Sequence, residues 1–250
     1  MNFHLTKTIF SIILLMGAAS AASLNVFGIK ETEPDSLAAE GNVEKELLMV
    51  NSLDSLGLNE GERYSHLTEY DFKIVAEELE VEIGVIKAVV EIEAGKAMKG
   101  FWAPGIPVVN FDRSMYLKYG KTAQNKEGDK DQKVPEGLKG YALKEWTQLI
   151  NARKTNLQGA NLGTFWGMFQ IGGFNYKLCG CNSIDDFVSR MSYSELEQLQ
   201  LFAVFITNTG MVEYLKKKDW RGFARRYNGP PYARRGYHTK MANAYKRYSS

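Results

Sequence analysis

The stretch VIKAVVEIEAGKAMKG, Val85 to Gly100, decides how we interpret this chain of 250 residues. Ile86, Val89 and Val90 share one apolar face of a predicted helix through their three- and four-residue spacing. Glu93, seven residues after Ile86, falls on the same face. Glu91 falls on another side, four residues after Lys87, where an ion pair in solvent is expected. Spacing alone therefore separates the two glutamates.

The position of Glu93 suggests a carboxyl group that is hard to ionise. An apolar face removes water from the charged form, and the helix C-terminus that Gly95 signals adds a negative dipole. Both effects raise the pKa of a carboxyl group. Cleavage of a glycosidic bond needs such an acid to protonate the leaving oxygen. The alternative is that Glu93 frays into solvent at the helix end.

The N-terminus has the features of a secretory signal. Lys7 precedes the short apolar run Ile9–Gly17, and AASAAS offers a cleavage site of small residues. We predict a signal peptide at 1–22, an acidic linker or loosely ordered extension at 23–64, and one domain at 65–250. The mature protein is expected to be exported, periplasmic or secreted, without a membrane anchor.

The cysteine content and the charge distribution limit the cofactors and binding partners that the chain is expected to have. The chain has two cysteines, Cys179 and Cys181, whose close spacing favours two free thiols or a strained local disulfide. No set of ligands is spaced for a metal, and no phosphate-binding glycine motif occurs, so we expect no cofactor. The basic C-terminal part suits an anionic wall polymer, and export argues against nucleic acid. We expect a monomer.

Helical spacing predicts most of the secondary structure. Thr68 with Asp71 starts one helix, Tyr141 to about Lys154 forms another, and Ser192 with Glu195 is interpreted as the capping box of a third. A final basic helix is predicted from about Tyr237 to Tyr248. Short extended runs are predicted at 107–112 and 163–172. The predicted fold class is α+β and predominantly α-helical.

The segment Gly159–Asn175, GANLGTFWGMFQIGGFN, is rich in both glycine and aromatic residues. Trp166, Phe169 and Gln170 could supply flat surfaces and an amide for sugar rings and acetamides. The alternative is a buried turn between helices.

Five motifs in consistent order resemble the N-acetylmuramidase domain of phage endolysins and related secreted bacterial proteins, a branch of the lysozyme-like group. They are VIKAVVEIEAGKAMKGF, PVVNFDRSMY, FWGMFQIGGFNY, SYSELEQLQLFAVFI and DWRGFARRYNGPPY, within residues 66–248. The resemblance implies a lysozyme-like fold with a small β region near the cleft. It also implies cleavage of the β-1,4 bond between N-acetylmuramic acid and N-acetylglucosamine in peptidoglycan glycan strands.

The resemblance also implies roles for individual residues. The catalytic glutamate of the family falls on Glu93, and the Trp-Gly-x-x-Gln-Ile segment falls on Trp166 to Ile171, opposite the acid. Tyr227 and Asn228 match a Tyr-Asn-Gly-Pro motif near the sugar or the carboxyl. The chain departs from the family in having Phe111-Asp112-Arg113-Ser114 for Phe-Glu-x-His, and Glu93-Ala94 for Glu-Ser.

The leading hypothesis is a muramidase with Glu93 as general acid and Asp112 as the second catalytic group. Asp112 would position water in an inverting reaction or stabilise the cation in a retaining one. Its alternative role is to cap a turn at a strand end. A lytic transglycosylase that gives 1,6-anhydro products, and a non-catalytic wall-binding protein, are the competing functions.

Overall fold

Helices make up most of the computed structural model, which describes residues 64–121, 123 and 127–249. The predicted signal peptide and nearly all of the predicted acidic extension lie outside these residues. The α-helices are α1 (Glu69–Glu78), α2 (Ile83–Ala94), α3 (Arg113–Gly120), α4 (Gly140–Thr155), α5 (Leu157–Leu162), α6 (Ile184–Met191), α7 (Glu195–Asn208), α8 (Val212–Lys216), α9 (Trp220–Asn228), α10 (Tyr232–Arg235) and α11 (Tyr237–Tyr248).

Two small antiparallel sheets complete the fold. One is a hairpin of β1 (Phe101–Ala103) and β2 (Ile106–Pro107); the other joins β3 (Val109–Phe111), β4 (Thr164–Trp166) and β5 (Ile171–Gly172) in that order. A short 3₁₀ helix, Gly173–Asn175, follows β5. The predicted fold class, mainly helical with a small β region, is confirmed.

Helix α2 is enclosed by two other helices. The side chains of Ile86, Val89 and Val90 are fully buried, as the spacing predicts. The α1 helix packs on α2, and α11 lies along it and covers the side that carries Glu91. Burial of this apolar surface is the main contribution to the stability of the helix, because its N-cap Glu82 makes no capping hydrogen bond with its side chain.

The predicted ion pair between Glu91 and Lys87 is wrong. Glu91 is 8% exposed, and its carboxylate accepts hydrogen bonds from Arg247 Nη2 at 2.5 Å and Tyr248 Oη at 2.9 Å. Lys87 instead pairs with Glu69 of α1. The cause is tertiary, since the C-terminal helix returns to cover a side of α2 that local spacing marks as solvent-facing.

The predicted first residues of the helices are correct for some helices and wrong for others. Thr68 and Asp71 form the predicted capping box of α1, and α11 spans Tyr237–Tyr248 as predicted. The predicted capping box of Ser192 and Glu195 is wrong, because Ser194 accepts from the backbone N–H of Glu197 and starts α7 there. Ser192 instead ends α6, a helix that the sequence interpretation missed.

Across the described ranges, no helix combines the length and the apolar character that crossing a bilayer would need.

Candidate active site

Glu93 lies in the last turn of α2 and opens onto a cleft of about 390 Å³. The helix ends directly beyond it, because Gly95 has a φ of 78°, a conformation that favours glycine. The carboxyl group is partly buried rather than frayed into solvent. The side chains that line the cleft are Glu93, Ala94, Lys99, Phe101, Trp102, Val108, Met168 and Gln170.

The surroundings of Glu93 favour its protonated form. Burial raises the pKa of Glu93 to about 7, and a hydrogen bond that Asn228 Nδ2 donates at 3.0 Å opposes this shift. In the described part of the chain, no cation lies within 4 Å of this carboxyl. Glu93 can therefore hold a proton near neutral pH and release it to a substrate.

Glu91 shows that burial alone does not produce such an acid. Burial also raises the pKa of Glu91, but the hydrogen bonds from Tyr248 and Arg247 outweigh it, so its pKa is lowered. Glu91 has an arginine partner, whereas Glu93 has a neutral amide. The difference in partner makes one glutamate a structural anion and the other a candidate acid.

Two predicted residues, Tyr227 and Asn228, meet at the C-terminal end of α9. The Tyr227 hydroxyl donates to the backbone carbonyl of Phe169 at 2.6 Å, which ties α9 to the opposite wall. Burial raises the pKa of Tyr227 well above its usual value, and the nearby charge of Glu93 acts in the same direction. Tyr227 therefore stays neutral, and its hydrogen bond anchors the helix end that carries Asn228.

The predicted carbohydrate-lining segment contributes one polar side chain to the lining of the cleft, and most of its large side chains are buried. Gln170 lines the cleft, and its Nε2 donates to the Gly167 carbonyl at 2.9 Å. Trp166 and Phe169 are 0% and 1% exposed. This corrects the prediction that their rings stack on sugars, because neither has an exposed face. Trp166 Nε1 donates to the Asn161 carbonyl, and Phe169 stacks on Phe202.

The ring available to a sugar in the cleft comes from the first hairpin. Trp102 is partly exposed, lines the cleft and meets Tyr141 edge to face at 6.1 Å. Trp102 is not among the site residues that the sequence predicts. The available signal was an aromatic pair, Phe101 and Trp102, only eight and nine residues after the candidate acid.

Asp112 starts α3. Its backbone N–H bonds to the Gly163 carbonyl, and its carboxylate accepts from the Met115 N–H at 2.9 Å. This is an N-cap, and α3 is a helix that the sequence interpretation missed. Asp112 is not among the side chains that line the cleft with Glu93. Asp112 follows a strand, as the alternative to a catalytic role proposed, but it caps a helix and not a turn. A catalytic role for Asp112 stays a prediction.

A pair of buried polar residues on α7 holds the two walls of the cleft together. Glu195 accepts from the Gly100 N–H at 2.8 Å. Gln198 donates to the Gly100 carbonyl at 3.2 Å and accepts from the Met168 N–H at 2.8 Å. We call Glu195 and Gln198 the α7 latch. Gly100 is required here, since a Cβ would lie 2.3 Å from Gln198 Oε1.

The two cysteines are buried free thiols, which confirms one of the two alternatives for them. Burial raises the pKa of Cys179, and it raises that of Cys181 to about 12. Both thiols are therefore protonated and unreactive at neutral pH.

A partly buried glutamic acid at a helix end, facing a small β region across a cleft in a mainly helical domain, defines a lysozyme-like glycoside hydrolase. The comparisons with known proteins agree. The crystal structure of the Burkholderia AP3 phage endolysin matches with a TM-score of 0.61 and 28% identity, over 96% of this chain and 94% of that one. The N-acetylmuramidase family model matches residues 82–249, so the chain belongs to this muramidase family and is a peptidoglycan hydrolase. No curated protein matches.

We predict that Glu93→Gln stabilises the fold in a pH-dependent manner. Above pH 7 the native state must hold a charged, partly buried carboxylate, whereas below about pH 4.5 the carboxyl is protonated in both the native and the unfolded state. Glutamine resembles the protonated acid. The variant should gain about 3 kcal/mol in free energy of unfolding at pH 8 and almost nothing at pH 4.

Urea denaturation of both proteins at the two pH values measures this difference. Glu77→Gln, at a side chain that is 56% exposed, controls for the loss of one carboxylate. Equal stabilities of wild type and Glu93→Gln at pH 8 would mean that Glu93 is fully hydrated.

Proposed function

We propose that this enzyme cleaves the β-1,4 bond between N-acetylmuramic acid and N-acetylglucosamine, with Glu93 as general acid. The observation that carries the proposal is the position of Glu93, which lies partly buried at the wall of an open cleft, where burial raises its pKa to about 7. An acid with this pKa is protonated in a useful fraction at neutral pH and transfers its proton readily.

The surrounding side chains suit this reaction. Asn228 holds one carboxyl oxygen of Glu93 and leaves the other for the glycosidic oxygen. The Trp102 face offers apolar contact to a sugar ring, and the Gln170 amide oxygen is a hydrogen-bond acceptor for an acetamide. As the proton moves, positive charge develops on the anomeric carbon, and a second group has to stabilise it or direct a nucleophile there.

A lytic transglycosylase is the second candidate function. Within the described lining of the cleft, Glu93 is the only carboxylate. A transglycosylase needs a single carboxyl group, which acts first as acid and then as base while the muramic C6 hydroxyl attacks. Export of the protein, an anionic wall as its partner and its action as a monomer remain proposals from the sequence.

We expect Glu93→Gln to abolish release of soluble fragments from purified sacculi, because the amide cannot donate the proton. Glu78→Gln is the matched control: burial also raises the pKa of Glu78 to about 7, but this residue lies on α1 and is not among the cleft-lining side chains. It should retain wild-type activity. Activity of the wild type should fall as the pH rises through 7, as Glu93 loses its proton. Wild-type rates in Glu93→Gln would refute the assignment.

The role of Asp112 is tested by Asp112→Asn, since asparagine caps a helix as well as aspartate does. If the carboxylate only caps α3, activity should stay near that of the wild type, and this is the result that the observed contact favours. A catalytic carboxylate would instead cost at least about a hundredfold in rate. Circular dichroism of the variant checks that α3 is intact.

The products distinguish the two reactions. Hydrolysis should leave muramic acid with a reducing end, whereas transglycosylation leaves a 1,6-anhydro ring and a product lighter by one water. We expect reducing ends, seen by mass spectrometry of muropeptides before and after borohydride reduction. Anhydro products throughout would favour the transglycosylase, and sacculus binding without any product would favour a non-catalytic wall-binding protein.

A further inference from the structure

A second pocket, of about 610 Å³, lies on the other side of the end of α2. It is formed between the last turn of α2 and the helices α10 and α11. Four cations line it: Lys96, Arg235, Lys240 and Arg247. We call it the basic pocket. Its only acidic side chain is Glu91, among the residues that the structure describes.

The positive charge of the basic pocket is not neutralised from within. Arg247 is engaged with Glu91. Lys240 extends over the Tyr237 ring, 5.9 Å from its centroid. Neither Arg235 nor Lys96 has a carboxylate within 4 Å in the described ranges, and both are exposed. A concave site with excess guanidinium and ammonium groups is complementary to an anion, and arginine can bind a carboxylate through two hydrogen bonds.

The basic pocket and the active-site cleft share one helical turn. Glu93 and Ala94 line the cleft, while Ile92 and Gly95 line the basic pocket. Residues this close on a helix are separated by only about 1.5 Å of rise each, so the two sites are neighbours around the end of α2. A substituent on a substrate bound at Glu93 can therefore reach the basic pocket.

We propose that the basic pocket binds a free carboxylate of the peptide stem carried by N-acetylmuramic acid. This inference rests on the proposed function, because it takes the cleft as the site of the glycan. The stem branches from the sugar ring next to the bond to be cleaved and carries free carboxylates along its length. A stem of four extended residues spans roughly 13 Å, slightly more than the diameter of a helix with its side chains, and so reaches past the end of α2. The basic pocket would thus bind the peptide stem while Glu93 acts on the glycan.

The test measures binding in the Glu93→Gln background, so that cleavage does not enter the result. The probe is a purified disaccharide tetrapeptide, titrated by calorimetry against Glu93→Gln and against Glu93→Gln with Arg235→Gln and Lys240→Gln added. We expect the added substitutions to weaken binding at least tenfold. The same muropeptide with its carboxylates amidated should bind both proteins equally weakly. A control with Lys217→Gln and Arg221→Gln removes the same charge at exposed positions outside the pocket.

Several outcomes would overturn the proposal. One is equal affinity for the free and the amidated muropeptide; another is equal weakening by the pocket and the control substitutions, which would indicate net charge alone. Strong competition by inorganic phosphate, at concentrations where acetate has no effect, would assign the pocket to a phosphate group instead. Failure of the proposed function would appear separately, as wild-type activity of Glu93→Gln on sacculi, without changing this measurement.

Discussion

The α7 latch is the constraint on which the active site depends. Gln198 is fully buried, and its amide bridges two segments distant in sequence, at Gly100 and Met168. Glu195 adds a charged acceptor for the same glycine. A buried polar group that loses its partner costs about 1–3 kcal/mol, so this network strongly favours one arrangement of the two walls. The cleft keeps its width because both walls are bonded to one helix.

The hydrogen-bond partner of Glu93 is a neutral amide, and this decides the direction in which the pKa of Glu93 is shifted. A cation beside a buried carboxyl lowers its pKa and makes a stable ion pair, as Arg247 does at Glu91. An amide satisfies one oxygen without supplying a charge, which leaves the effect of burial dominant at Glu93. Ionisation of Glu93 at the end of α2 therefore stays unfavourable, whereas the charge of Glu91, two residues earlier, is neutralised by Arg247. Active sites commonly retain such a cost because activity requires it.

Sequence patterns predict features that depend on neighbouring residues, and they fail for features that depend on tertiary contacts. Spacing predicted that Glu93 is partly buried at the end of α2, and a capping pattern placed the start of α1, because both depend on residues a few positions apart. The burial of Glu91 depends on α11, more than 150 residues away in sequence. Likewise, the glycine-rich segment around Trp166 predicts a ring that stacks on a sugar, yet Trp166 is buried in the core. Trp102 is the partly exposed tryptophan at the cleft, and it reaches that position only through the folding of the first hairpin.

The contacts of Glu195 also define where this catalytic unit starts. Its carboxylate accepts from the Leu67 N–H at 3.0 Å and lies 3.1 Å from His66 Nδ1, both before the first matched residue of the family model. The Tyr64 ring meets Phe101 of the hairpin edge to face. A polypeptide that began at residue 82, where the family model begins, would lack the contacts of His66 and Leu67 with the Glu195 carboxylate. It would also lack the Tyr64 ring that packs on the hairpin. The contacts that support the cleft therefore extend to residues that precede the part of the chain matched by the family model.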